Sequence, residues 1–275
     1  SGYGTLVVGT VSGTAISFGS EVVYEAASSP FTSSTFDSNS NKVVIAYRDD
    51  GNSYSGQGIV FQNASANLTA ENYIGMSSGV VDVTGTAGGT GSETVFEQAT
   101  SRYVASAYDT NTNRVVIAYA DNGNSQYGTA IVGTVSGTSI SFGSPVVFET
   151  AEVQNVSVVF DSNSNKIVIA YADEGNSSHG TAIVGTVSGT AISFGSAVVF
   201  EAANSGSIVA TFDSNSNKAV IAYQDLGNSN YGTAIVGTVS GTGISFGTAV
   251  VFEQAEVSVN SIKVAFDSSS NKIVI

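Results

Sequence analysis

The chain of 275 residues contains no cysteine, no tryptophan, two prolines and only three leucines, Leu6, Leu68 and Leu226. Without cysteine it has no disulfide scaffold, no thiolate nucleophile and no cysteine-ligated zinc site. The scarcity of leucine and the 31 glycines argue against helices, whereas the abundant Val, Ile and Thr favour strands. Composition therefore predicts an all-β protein, and a hydrophobic content of 42% is enough to form a core.

Positive charge is also scarce. Eight Lys and Arg stand against 22 Asp and Glu, for a net charge of −14, which would repel a phosphate backbone or an anionic membrane surface. No apolar run approaches the roughly 18–20 residues of a membrane span, and the N-terminus lacks the basic-then-apolar pattern of a signal peptide. We therefore expect no nucleic-acid partner and no insertion into a membrane.

The dominant feature is an internal repeat. The phrase Phe-Asp-Ser-Asn-Ser-Asn-Lys begins at Phe36 and returns, with small changes, from Tyr108, Phe160, Phe212 and Phe266, at spacings of 72, 52, 52 and 54 residues. Each copy is followed by a Val/Ile-rich run ending in Ala-Tyr, an Asp-x-x-Gly-Asn-Ser loop and a Gly-Thr-Ala-Ile-Val-Gly-Thr-Val run, then by Ile-Ser-Phe-Gly and Val-Val-Phe-Glu. Turn-forming residues separate these apolar runs, so one repeat predicts four short strands.

The runs are apolar on both faces, which is typical of sheets covered from both sides, as in a radial array. The chain begins with the third and fourth strands of a repeat and ends with the first and second. We therefore expect a five-bladed β-propeller of four-stranded antiparallel blades, closed by pairing of the N- and C-terminal strands. This single domain, 1–275, divides into blade repeats at 1–30 plus 257–275, 31–98, 99–150, 151–202 and 203–256, and the stop at Ile275 suggests a piece of a longer repeat polypeptide.

One repeat carries an insertion, at about 64–95, that replaces the regular fourth strand. A longer loop at the rim of a propeller is tolerated because the entropy of loop closure grows slowly with length. Loops on a rigid β scaffold are also where binding sites are commonly found. Tyr73, Ile74 and Met76 are the candidate binding residues of this segment.

Most carboxylates recur in every repeat, which favours a structural role over catalysis, since catalytic acids need different environments. The aspartates of the Phe-Asp hairpins are expected to accept backbone N–H bonds in their turns. The Asp-x-x-Gly-Asn-Ser loops also resemble calcium loops, although Leu226 occupies a position where a ligand would be needed. No cofactor is expected beyond possible calcium at the loop aspartates, which are Asp49, Asp121, Asp173 and Asp225.

Enzymatic activity is not expected. A sialidase would need an arginine clamp, and the chain has only three arginines, Arg48, Arg102 and Arg114. The single histidine, His179, lies where other repeats have tyrosine and fits a drifted surface position. Acids outside the repeat pattern that would be available to a glycosidase pair are Glu71, Asp82, Glu93, Glu152 and Glu256, but nothing in their spacing supports one.

Tyrosines before the third strand give a better case for binding. Tyr127 and Tyr231 recur beside Asn and Asp, and a flat ring with polar neighbours is what sugar-binding surfaces use. Packing between blades is the alternative explanation for these rings. Weak sites repeated around a ring would gain strength through multivalency.

The phrases Phe-Asp-Ser-Asn-Ser-Asn-Lys-x-Val-Ile-Ala-Tyr and Gly-Thr-Ala-Ile-Val-Gly-Thr-Val-Ser-Gly-Thr resemble repeats in tail-fibre and other structural proteins of marine bacteriophages. The phrase from Asn67 to Gly75 is similar to one in the same kind of protein. The resemblance covers nearly the whole chain and implies an extracellular, virion-associated role in host recognition or particle assembly. It carries over no catalytic or binding residue.

We thus expect a non-enzymatic binding or structural module of a virion or cell surface. Its partners would be other virion or surface structural proteins, or a host-surface glycan. A carbohydrate-binding lectin, a five-bladed glycoside hydrolase and a pure spacer or decoration protein remain as alternatives.

Overall fold

The computed structural model describes residues 3–63, 65–67, 84–86, 89–258 and 261–275. Strands dominate these ranges, and the only helical segments among them are two single 3₁₀ turns, Asn122–Asn124 and Glu174–Asn176. The predicted all-β class is confirmed. The strands are β1 (Tyr3–Leu6), β2 (Gly9–Ser12), β3 (Ala15–Phe18), β4 (Val22–Ser28), β5 (Ser33–Asp37), β6 (Lys42–Asp49), β7 (Ser55–Gln62), β8 (Ser65–Asn67), β9 (Thr84–Thr86), β10 (Gly89–Thr90), β11 (Thr94–Asp109), β12 (Arg114–Asp121), β13 (Tyr127–Ser136), β14 (Ser139–Phe142), β15 (Val146–Asp161), β16 (Lys166–Asp173), β17 (His179–Ser188), β18 (Ala191–Phe194), β19 (Val198–Asp213), β20 (Lys218–Asp225), β21 (Tyr231–Ser240), β22 (Gly243–Phe246), β23 (Val250–Glu256), β24 (Ala265–Asp267) and β25 (Lys272–Val274).

Four antiparallel sheets follow one another along the chain. Sheet 1 contains β5, β6, β7, β10 and the first part of β11. Sheet 2 contains the rest of β11, then β12, β13, β14 and the first part of β15. Sheet 3 contains the rest of β15, then β16, β17, β18 and the first part of β19. Sheet 4 contains the rest of β19, then β20, β21, β22 and β23.

Three long strands join these sheets. β11, β15 and β19 have 16 residues each, and each pairs with one sheet through its first part and with the next sheet through its second part. The ladder with the next sheet is interrupted by a β-bulge near the crossing, between Arg102 and Ala105 in β11. A bulge bends a strand and turns the side chain at the bulge in a new direction. The residues at these bulges, Tyr103, Asn155 and Ser207, all have φ near +50°.

The hairpin between the first and second strands of each repeat has the chemistry predicted from its sequence. In the third repeat, Asp161 Oδ1 accepts the backbone N–H groups of Asn163 and Ser164 at 2.9 and 3.0 Å. Asn165 then takes a φ of +55°, a left-handed conformation that asparagine tolerates better than most residues. The turn is therefore specified locally, and this explains why it recurs in every copy.

The core lies between successive sheets. Val115 to Ala120 of β12 are all fully buried, and side chains from this strand and β13 pack with Ile167 and Ile169 of β16 in one cluster. Strands buried on both faces account for the nearly continuous apolar runs of the sequence.

The same aromatic contact recurs at each of these interfaces. Phe148 of β15 packs on Tyr171 of β16 with ring centroids 5.2 Å apart. The ring also passes close over Gly128 of β13, where a Cβ would lie 2.4 Å from Phe148 Cε2. Glycine at this position is therefore required by the aromatic packing.

The insertion at about 64–95 contributes a strand to sheet 1. β8 pairs with β9, and β10 pairs with the end of β7, Thr90 opposite Phe61. This is the place that Phe142 of β14 takes opposite Gly133 in sheet 2. A short strand near the end of the insertion thus takes this place in sheet 1.

The two ends of the chain form small pairs of their own. β1 pairs with β4, β2 with β3, and β24 with β25. Within the described ranges, no ladder joins β25 to β1 or β2, and the expected closure requires pairing with this N-terminal segment. Nor does the part of the chain that the structure covers include a helix long and apolar enough to cross a membrane.

Candidate functional site

The repeated glutamates take part in contacts between sheets. Tyr171 donates its hydroxyl hydrogen to Glu149 Oε2 at 3.1 Å. Tyr119 and Tyr223 make the same bond to Glu97 and Glu201, and in each case the glutamate lies 22 residues earlier in the chain. Burial raises the pKa of the Tyr171 hydroxyl, and the negative charge of Glu149 raises it further. These carboxylates therefore hold a buried tyrosine at each interface.

The loop aspartates, predicted as possible calcium ligands, lie one to a repeat. Asp49 Oδ1 accepts the N–H groups of Gly51 and Asn52 at 2.7 and 3.1 Å, and Asp121 Oδ1 accepts that of Gly123 at 2.8 Å. These two carboxylates thus close their own turns. Asp173 and Asp225 end β16 and β20 in the same position, so the four aspartates belong to four different loops.

One of these aspartates has two acidic neighbours. Ligand oxygens of Glu25, Asp49 and Glu93 all lie within 4.8 Å of one another, and we call these three residues the acidic cluster. They line an open pocket of about 470 Å³ between β4 and sheet 1. In the described part of the chain, no other group of three or more acidic, histidine or cysteine side chains comes this close.

Tyr47 contacts two members of the acidic cluster. Its hydroxyl donates to Glu93 Oε1 at 2.9 Å and is 3.5 Å from Glu25 Oε2. Burial raises the pKa of the Glu93 carboxyl, the bond from Tyr47 lowers it, and the charges of Glu25 and Asp49 raise it, with a net upward shift. Three carboxylates at this spacing are oxygen ligands of the kind that calcium uses, so this is where a cation could be held.

Sequence reasoning identified Glu93 as an acid outside the repeat pattern but did not place it beside Glu25 and Asp49. The only signal was that Glu93 lies at the end of the insertion. Its approach to the other two depends on how β4 packs against sheet 1, which is a long-range contact.

A second pocket, of about 210 Å³, is lined by residues from all five repeats. Phe31, Tyr103, Asn155 and Ser207 occupy the same position in four successive repeats, and the fifth contributes Ile262 and Lys263. We call this the five-repeat pocket. The left-handed backbone at each of the four equivalent residues directs their side chains differently from those of a regular strand.

Aromatic rings form one side of the five-repeat pocket. The centroids of Phe31 and Tyr103 are 5.4 Å apart with the rings tilted by 56°. The Tyr103 hydroxyl donates to Gln154 Oε1 at 3.3 Å, and Arg48 Cζ lies 4.9 Å from the centre of the Phe31 ring. Sequence reasoning missed this pocket, although its four equivalent positions carry a different residue in each repeat.

The predicted binding tyrosines lie apart from both pockets. Tyr127 and Tyr231 are half-buried first residues of β13 and β21, in different sheets. Tyr127 pairs in register with Asp121 and Glu152, and Tyr231 with Asp225 and Glu256. The other candidates, Tyr73, Ile74 and Met76, fall outside the described residues.

No protein-family model matches the chain, and a search of curated proteins finds no match either.

Proposed function

We propose that the chain is a five-bladed β-propeller that serves as a non-enzymatic binding or structural module on a virion or cell surface. The observation that carries the proposal is the five-repeat pocket. Residues from the beginning, the middle and the end of the chain meet there, as they would around the axis of a ring. In such an array each sheet is covered by its two neighbours.

Exposed apolar side chains at the ends support closure of this ring. Val11, Ile16 and Phe18 of the β2–β3 hairpin are 71%, 56% and 64% exposed, whereas Val187 and Ile192, which match the first two, are 9% and 4% exposed. At the other end, Val274 is also exposed. Open apolar edges are a liability in β proteins, and pairing of the two ends would cover them.

The repeat also predicts the register of that pairing. Ile167, Val168 and Ile169 of β16 face Gly185, Val184 and Ile183 of β17. The corresponding pairs at the ends of the chain are Ile273 with Gly9, Val274 with Val8, and Ile275 with Val7. Closure therefore makes a specific prediction about which residues become neighbours.

The hydrogen bonds of repeated acids such as Asp161, Glu149 and Asp49 support a non-catalytic role, because these carboxylates already have a partner in their turn or in the neighbouring sheet. The surface location is supported by the resemblance to phage structural proteins and by a composition poor in lysine and rich in Ser, Thr and Asn. The proposed partners are other virion or surface structural proteins, or a host-surface glycan.

Closure is tested with engineered cysteine pairs, for which this cysteine-free chain is well suited. Val8→Cys with Val274→Cys should form a disulfide within one chain, as should the internal control pair Val168→Cys with Val184→Cys. Val11→Cys with Val274→Cys is out of register by three residues, about 10 Å along a strand, which is beyond disulfide reach. Failure of the Val8–Val274 pair to cross-link while the internal pair does, or cross-linking between chains only, would overturn the closed ring.

The non-enzymatic role is tested by incubating the protein with a panel of chromogenic glycosides. We expect no turnover. Turnover that disappears in Glu93→Gln would overturn the proposal and support the glycoside hydrolase instead.

The acidic cluster is the observation that favours a hydrolase as second candidate. Its carboxylate oxygens lie within 4.8 Å of one another, close to the roughly 5–5.5 Å between the carboxyl groups of retaining glycosidases. Glu93, whose pKa is raised, would be the acid, and Glu25 the nucleophile.

A further inference from the structure

The distribution of basic residues adds a ligand class to the proposed binding role. Of the eight Lys and Arg residues in the chain, five occupy the same place in the repeated hairpin. These are Lys42, Arg114, Lys166, Lys218 and Lys272. The remaining three, Arg48, Arg102 and Lys263, have no basic counterpart in any other repeat.

One of these exceptional cations lines the five-repeat pocket, and the other two are next to residues that line it. Lys263 lines it, Arg48 stacks on Phe31, and Arg102 precedes Tyr103 and is close enough to lower the pKa of its hydroxyl, which burial raises. The hairpin cations are at the opposite ends of the strands, because β11 runs from the pocket at Tyr103 to its hairpin at Asp109. In a chain with a net charge of −14, this concentrates positive charge at one place.

Two of these cations are available to a ligand. Arg48 forms an ion pair with Asp50, 2.7 Å from Nε to Oδ1. It is the only ion pair among the residues that the structure covers, so Arg102 and Lys263, both exposed, have no carboxylate partner there. Glu152 and Glu174 are also near Tyr103. Their negative charges oppose the binding of an anion that approaches the pocket from that side.

The rest of the pocket suits a sugar ring. Phe31 and Tyr103 present tilted aromatic faces, against which the C–H face of a sugar can pack, and Asn155 adds an amide that can both donate and accept hydrogen bonds. A volume of about 210 Å³ is below the roughly 300–1,000 Å³ of pockets for drug-sized ligands. The pocket therefore fits one sugar residue better than an extended chain.

We propose that the five-repeat pocket binds a carboxylate-bearing sugar at the end of an acidic glycan, with the carboxylate at Lys263 and Arg102 and the ring against Phe31 and Tyr103. This inference rests on the proposed function and narrows its glycan partner to an acidic one. Such a site would distinguish this sugar from a neutral one by the charge of Lys263, and from a small carboxylate by packing against the aromatic rings.

The test is titration of the protein with methyl β-D-glucuronide, followed by calorimetry and by NMR of the Tyr103 and Asn155 signals. Lys263→Gln and Arg102→Gln should each weaken binding by about tenfold, the loss expected for one charged hydrogen bond. Lys218→Gln, at the far hairpin, is the matched control and should bind like the unmodified protein. Methyl β-D-glucoside and acetate should bind at least about tenfold more weakly than the glucuronide.

Three results would overturn the inference. The first is no binding of the glucuronide at millimolar concentration, and the second is equal binding of the glucoside. The third is binding that neither substitution weakens, or that leaves the Tyr103 and Asn155 signals unchanged. If the Val8–Val274 disulfide forms and glycosides are not turned over in the same preparations, the proposed function stands and only the ligand assignment fails.

Discussion

At the scale of single residues, the molecule separates copied side chains from exceptional ones. Copied side chains such as Glu149 and Asp161 are bound by partners at constant spacing, so the same contacts recur along the chain. Exceptional residues such as Arg102 and Lys263 have no basic counterparts, and Glu93 is matched by an acid only at Glu21. Glu93 and Lys263 each line one of the two pockets. The contrast could be read from the sequence, but the neighbours of these residues could not.

The acidic cluster predicts a pH-dependent effect of Glu93→Gln. Because the folded chain raises the Glu93 pKa above its ordinary value of 4.5, the protonated carboxyl stabilises the fold below that value. This contribution is lost as the pH rises through the folded pKa. Glutamine keeps an oxygen for the Tyr47 hydroxyl and removes the charge. We expect Glu93→Gln to raise stability at pH 7 by less than about 1 kcal/mol, since solvent screens an exposed carboxyl.

The measurement is urea denaturation at pH 7 and at pH 4. The gain from Glu93→Gln should shrink towards zero at pH 4, where the natural side chain also binds a proton. Glu21→Gln, at an exposed position before β4, is the control and should show no such change. A gain in stability that is the same at both pH values would contradict the explanation by the charge of Glu93.

At the scale of elements, each loop between a second and a third strand fits against the preceding sheet. A Cβ placed on Gly175 would lie 2.5 Å from Ala151 Cβ, and Gly123 and Gly227 meet Ala99 and Ala203 in the same way. The sequence predicts a turn at these glycines. That they are needed for a contact between neighbouring sheets is visible only in the assembled structure, because the alanine lies 24 residues earlier.

We expect Gly175→Ala to destabilise the protein by about 1–3 kcal/mol, the usual cost of inserting a methyl group into a tightly packed site. Thermal or urea denaturation measures it. Adding Ala151→Gly removes the opposing methyl group and should restore most of the loss. Gly243→Ala is the matched control, because its nearest atom would be 3.7 Å away and Ala191 occupies the same position in another repeat. If Gly175→Ala and Gly243→Ala lose the same stability, the contact with Ala151 is not the cause of the loss.

At the scale of the whole molecule, the last sheet lacks, among the residues that the structure describes, an aromatic contact that the earlier sheets make. Phe252 and Glu253 match Phe148 and Glu149, which hold Tyr171, but Phe252 is exposed. The matching second strand reaches only Ile275, short of the position of that tyrosine. Supplying the segment should therefore complete the interface if the ring closes as proposed.

A circular permutant tests this. The chain is opened between the exposed residues Ser144 and Pro145, and a copy of Ala170–Asn176 is placed between Ile275 and Ser1. We expect this permutant to unfold a few degrees higher than one with a Gly/Ser linker of the same length, because the copied tyrosine gains an aromatic contact and a hydrogen bond worth roughly 1–2 kcal/mol together. Equal unfolding temperatures, measured by circular dichroism, would argue against a closed ring.

The sequence by itself determined the all-β class, the strands and their hairpins, because these depend on residues a few positions apart, such as Asp161 and Asn165. It also marked which residues depart from the repeat. Only the tertiary structure decided what those departures do: it brings Glu93 to Glu25 and Asp49, and Lys263 to Phe31 and Tyr103. The reason is physical, since contacts between residues far apart in the chain depend on how whole sheets pack, and no local pattern records that packing.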